Sequence, residues 1–211
     1  LANRLTIGDS VHWPRPLWGP GLWPLTEATS QYHALWAWIL YWTLTVFDRG
    51  AGWLNDLFHS KFRELMFHVA AREGLLCPTY CLMPDHIHLL CLGLRCDTDQ
   101  RNGMSFLRTH LEPLLSPHQF QPQAYDHVLR GEERKCGAFA KICFYILDNP
   151  VRARLVDRPQ AWAFSGAIVP GYPTLQPLEE NFWPMFWKIV QATRQPEAGE
   201  RKLPLRSSRR L

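Results

Sequence analysis

The chain has 211 residues, 46% of them apolar and 20% charged, the balance of an ordinary globular protein with one sizeable core. Its longest apolar run, "ALWAWILYW" at 34–42, falls far short of the roughly 18 residues that span a bilayer, so no membrane segment is expected. Six cysteines without a CxxC pair or framework spacing argue against a disulfide framework and a cysteine zinc site. With no export signal, a cytoplasmic protein with reduced thiols is expected. The net charge of +4 sits in the tail "GERKLPLRSSRRL", which suits a solvated end or a phosphate-contacting one.

Residues 1–33, with "VHWPRPLWGPGLWP", are too rich in proline and glycine for a core and read as an arm. A first strand is expected over 35–47, then a turn, "GAGWLN", with Asn55 as N-cap. Leu57, Phe58, Phe62, Leu65, Met66 and Val69 recur at helical spacing over 56–73, and Gly74 closes that helix. "LLCPTYCLM" (75–83) reads as a second strand, its proline suggesting an edge or a bulge. Pro84 and Asp85 turn the chain, and 86–94 return as a third strand. A second helix is expected over 99–115 and a short strand within 118–130. A third helix, "EERKCGAFAKICFYILDN", is stopped by Pro150. This order, β-α-β-β-α-β-α, predicts an α+β domain over 34–168: an antiparallel β-sheet of the ferredoxin-like kind with helices packed on it. A C-terminal extension follows over 169–211.

Chemistry enters with His86 and His88. Spaced i, i+2 in an apolar strand, they face one way with Leu90, while Ile87, Leu89 and Cys91 face the other. Two imidazoles on one face suit two ligands of a divalent metal; two structural histidines are the plainer alternative. In the third helix Phe139, Ile142, Cys143, Ile146 and Leu147 make a buried stripe, and Tyr145 lies about 130° from its centre. It shares the polar side with Lys141, Asp148 and Asn149, as a surface tyrosine also would. Asn149, one turn on, offers a carbonyl oxygen as a third hard ligand.

Two motifs, "MPDHIHLL" and "YILDNPVRARLV", resemble those of the single-tyrosine HUH transposases and, more closely, the REP-associated tyrosine transposases. "YDHVLRGEE" and "WAFSG" extend the resemblance over roughly 32–168. The family pattern has a glycine where this chain has Arg154. The resemblance implies that His86 and His88 bind Mg²⁺ or Mn²⁺, that Asn149 completes the site, and that Tyr145 is the nucleophile. It further implies a DNA endonuclease and strand transferase acting on single strands near a hairpin through a 5′-phosphotyrosine intermediate. Asp85 then orients a ligand histidine or caps the hairpin turn, and Lys141 assists ionisation of the phenol. Arg130, Arg152, Arg209 and Arg210 are candidates for DNA phosphates. Such a protein is expected as a monomer or homodimer, associated with the nucleoid when bound to DNA. The competing expectations are a domesticated, non-catalytic DNA-binding module and a metal-dependent phosphodiesterase that uses water.

Overall fold

A run of β-branched, aromatic and leucine residues, ILYWTLT, makes β1 (Ile39–Thr45), after which the chain turns into α1 (Asp56–Glu73). The computed structural model describes residues 39–95, 97–128 and 138–193. Asn55 Oδ1 accepts the Phe58 backbone N–H at 2.9 Å, and Gly74 ends the helix in the left-handed region at φ 65°. Both caps fall where the residue types favour them. Phe58, Phe62, Leu65, Met66 and Val69 are buried, but Leu57 is exposed. It stands outside the apolar stripe and belongs with the solvent face that carries the Lys61–Glu64 ion pair.

β2 (Leu75–Met83) and β3 (His86–Gly93) form a hairpin across Pro84 and Asp85, followed by α2 (Gln100–Leu111) and β4 (Tyr125–Val128). Then come α3 (Ala138–Arg152), β5 (Ser165–Ile168) and α4 (Phe182–Thr193). The five strands pair antiparallel in the order β4-β1-β3-β2-β5, giving the expected α+β architecture. β2 is not an edge strand, because β5 pairs with its outer side. Pro78 instead makes the other feature the sequence suggested: the pairing shifts between Leu76 and Thr79 along β3 and between Cys77 and Tyr80 along β5. A residue without an N–H cannot continue the ladder, so the strand bulges there.

Both faces of the sheet are covered. Leu44, Leu82, Ile87, Leu89 and Cys91 pack with α1 and α2; Tyr41, Cys81, Leu90 and Leu92 pack with α3 and α4. The core extends beyond the expected domain limit at residue 168, since Phe182, Trp183, Phe186 and Trp187 of α4 join it and Trp187 meets Phe139 of α3 at 5.4 Å between ring centroids. None of the helices described is long and apolar enough to cross a membrane.

Pro150 does not stop α3; the helix runs on to Arg152. Its ring removes the N–H that would reach the Ile146 carbonyl. The Asn149 amide compensates from the side, donating to the Tyr145 carbonyl at 2.7 Å and the Ile146 carbonyl at 3.4 Å. The stop comes at Arg154, in the left-handed region at φ 58°. There Arg154 N donates to Val151 O and Leu155 N to Pro150 O, both at 2.9 Å, the Schellman arrangement that glycine usually closes.

Candidate functional site

Strand register decides what the two histidines meet. Thr43 lies opposite His88 and Thr45 opposite His86 in the β1–β3 pairing, and directly opposed residues share a face. His88 Nδ1 consequently lies 2.6 Å from Tyr41 Oη and 3.3 Å from Thr43 Oγ1. On the hairpin turn, Asp85 Oδ1 accepts from His86 Nδ1 at 2.5 Å, and Asp85 Oδ2 accepts from Arg49 at 2.9 Å. With both Nδ1 atoms engaged, the two Nε2 atoms point at each other across 2.8 Å.

Proton bookkeeping follows from these partners. The Asp85 carboxylate only accepts, so His86 carries its proton on Nδ1 and presents a bare Nε2. Hydroxyls donate or accept, so Tyr41 and Thr43 allow His88 either tautomer. With no ion bound, His88 Nε2–H donates to His86; turning the Tyr41 hydroxyl to accept from Nδ1–H frees the second lone pair. Burial lowers the pKa of His88 well below the ordinary value, helped by His86, Arg152 and Arg49. Burial also lowers that of His86, against the opposing pull of Asp85. Both rings are therefore neutral at pH 7, the form that coordinates metal. Burial pushes the Asp85 carboxyl up, but His86 and Arg49 together outweigh it and hold it below the usual carboxylate range.

The pair passes a geometric test for a shared ion. Two nitrogens about 2.1 Å from one ion at a right angle lie about 3.0 Å apart, close to the separation seen here. Among the described residues, no group of three His, Cys, Asp or Glu side chains is placed to hold a metal ion. Cys81, opposite His88 in the β2–β3 register, is buried in the core, which pushes its thiol pKa up to about 12. Two imidazoles without a thiolate leave the remaining positions to oxygen ligands.

α3 brings Tyr145 to this point. Its ring centroid lies 6.2 Å from that of His88 at 66°, and the Arg152 guanidinium sits over the Tyr145 ring, 4.5 Å from its centroid. Tyr145 is half-buried and packs at the margin of the core, so its ring serves packing as well as facing the imidazoles. Asn149, with its amide nitrogen tied to the helix backbone, has its oxygen as the end available to a ligand. Lys141 lies one turn before Tyr145 and is exposed; the cation over the phenol ring is Arg152. Arg130, Arg209 and Arg210 lie outside the described residues.

Three contributors escaped the sequence reading: Tyr41, Thr43 and Arg49. Tyr41 and Thr43 repeat the i, i+2 spacing of the histidines one strand away, a signal that acquires meaning only once the register is known. Arg49 carries no signal at all in "FDRG".

No family model matches the chain, and no curated protein matches it. A solved structure described as a REP-associated tyrosine transposase bound to a REP hairpin is similar to it, with a TM-score of 0.53 and 18% identity over 61% of this chain and 76% of that one. At that identity the likeness is one of fold.

Proposed function

We propose that this chain, sharing its fold with a REP-associated tyrosine transposase, is a metal-dependent endonuclease and strand transferase for single-stranded DNA beside a hairpin. The observation that carries the proposal is convergence: two neutral imidazoles aimed at one point, with a tyrosine ring 6.2 Å from one of them.

His86 Nε2, His88 Nε2 and the Asn149 side-chain oxygen would hold Mg²⁺ or Mn²⁺. When bound, such an ion neutralises the anionic phosphate and polarises its phosphorus. The protein's own residues do the rest. Tyr145 Oη loses its proton to solvent and attacks phosphorus; the Oη–P bond forms, the P–O3′ bond breaks, and the 3′ oxygen leaves as a hydroxyl after taking a proton. The 5′-phosphotyrosine conserves the phosphodiester energy, so a 3′-hydroxyl rejoins the strand by the reverse steps. Arg152, stacked on the phenol, restrains the ring and sets a positive charge beside the attacked phosphate. Asp85 and Tyr41 keep the imidazoles aimed. A single tyrosine cleaves one strand at a time, so exchange needs two rounds of chemistry or a second copy of the chain.

The test is incubation with a hairpin-flanked single strand and Mn²⁺, read on a denaturing gel. A slow-migrating protein–DNA adduct should form, and Tyr145→Phe or EDTA should abolish it. Cleavage by Tyr145→Phe at the wild-type rate would replace the tyrosine with water as nucleophile. Binding with no cleavage by the wild type would reduce the protein to a DNA-binding module.

A further inference from the structure

Between β1 and α1 the chain makes a turn anchored in the core by Val46 and Trp53. Val46 is fully buried, and its N–H donates to the Asp85 carbonyl at 3.0 Å. Phe47 N–H donates to Gln119 O at 2.7 Å, and Arg49 N–H returns to Val46 O at 3.1 Å. Asp48 and Arg49 are both left-handed, at φ 53° and 55°. Two successive non-glycine residues in that region are strained, and strain of this kind gathers at functional sites. The turn leaves the Phe47 side chain more than half exposed, at 54%, an arrangement with no folding benefit.

What the strained backbone accomplishes is placement. It carries Arg49 to Asp85, on the flank of the imidazole pair opposite the helix that bears Tyr145 and Arg152. Among the described residues only one guanidinium nitrogen is engaged there, with Asp85 Oδ2 at 2.9 Å, and the side chain is 64% exposed. Its remaining donors stand open to a ligand. Thr45, opposite His86, ends the imidazole face of β1, and Phe47 follows it by two residues as the first residue of the turn. An open aromatic ring and an open guanidinium two residues apart match a base and its phosphate on an unpaired strand.

We infer that the Phe47–Arg49 turn is a single-strand contact element of this site: Phe47 stacks on a base next to the attacked phosphate, and Arg49 grips the adjoining phosphate. The inference rests on the proposed function and names the residues that hold the substrate there. Neither residue belongs to the motifs by which the chain resembles known transposases.

Binding is measured in the Tyr145→Phe background, so that no chemistry intervenes, with Mn²⁺ present. The probe is a fluorescein-labelled hairpin with a single-stranded thymidine tail of about 12 nucleotides; a second probe carries an abasic tail with the same phosphates. Phe47→Ala should weaken binding of the thymidine tail about tenfold and leave the abasic tail unchanged, while Phe47→Trp retains affinity. Arg49→Gln should weaken both probes alike and lower the salt dependence by about one phosphate contact. Equal affinity of Phe47→Ala and its parent for the thymidine tail would overturn the inference while leaving the proposed function standing, as would equal losses on both tails. Failure of the parent to bind either probe would overturn both. Circular dichroism and Mn²⁺ affinity of Phe47→Ala should match the parent, because the ring is exposed and is not one of the side chains that would hold the ion.

Discussion

Asp85→Asn isolates the electrostatic support of the candidate metal site from its ligands. The carboxylate accepts from His86 Nδ1 at 2.5 Å and from Arg49 at 2.9 Å. Replacing it with an amide keeps the shape and removes the charge. The Arg49 pair is exposed on its cationic side, so its loss contributes little, about 0–1 kcal/mol. The bond to the imidazole matters more: a charge-assisted hydrogen bond contributes about 1.5–3 kcal/mol, and the partial exposure of Asp85, 28%, argues for the lower half of that range. About 1.5–2 kcal/mol corresponds to Mn²⁺ binding weakened about 10–30-fold. Titration calorimetry of the full chain with Mn²⁺ at constant pH measures it. Tyr41→Phe provides the comparison, since Thr43 Oγ1 at 3.3 Å remains beside His88 Nδ1 and the loss should be nearer threefold. Wild-type Mn²⁺ affinity in Asp85→Asn would refute the reasoning, as would a larger loss in Tyr41→Phe than in Asp85→Asn.

Arg154→Gly should stabilise the fold by about 0.5–1 kcal/mol, because relief of the left-handed φ of 58° outweighs the larger chain entropy that glycine loses on folding; calorimetry should show Tm raised by about 2 °C. Gly103→Ala should have the opposite sign despite alanine's better helix propensity, since the new Cβ would stand 2.8 Å from Val69 Cγ1 between α2 and α1. A loss of about 1–3 kcal/mol in urea unfolding is expected. His59 has a pKa lowered from 6.5 by burial and by Arg63, so the unfolded chain takes up this proton before the native one does. Its contribution to stability is complete above pH 6.5 and is lost as the pH falls through the depressed native value. Urea midpoints from pH 7.5 to 5 should drop less in His59→Gln than in the wild type.

The elements nearest to local rules were the easiest to read from the chain. Asn55 and Gly74 bracket α1 because an amide oxygen and a left-handed glycine satisfy the backbone groups that any helix end leaves open. The HxH pair shared a face because strand side chains alternate. Pro150 was harder. A proline ends a helix unless another group satisfies the carbonyl it orphans, and the Asn149 side chain does so here. That rescue depends on one rotamer, which no residue pattern announces. Leu57 is apolar in identity but off the stripe in angle, one residue before Phe58, and it stays in solvent. The α4 helix lay beyond the expected domain, and β5 within it went unread, since a four-residue strand has almost no signal of its own and acquires meaning only against the β2 edge.

Sequence alone supplied the chemistry-bearing residue types and their spacing: two imidazoles on one strand face, and a tyrosine and an asparagine one helical turn apart. These follow from backbone periodicity, which is local. Tertiary structure decided everything that depends on register and packing. It placed Tyr41 and Thr43 behind His88, swung Arg49 onto Asp85 through a strained turn, and laid Arg152 rather than Lys141 over the phenol. The contacts of Tyr41, Thr43 and Arg49 join residues tens of positions apart, and their geometry is set by strand pairing and by two helix layers closing on one sheet; Arg152 reaches Tyr145 from two turns along the same helix.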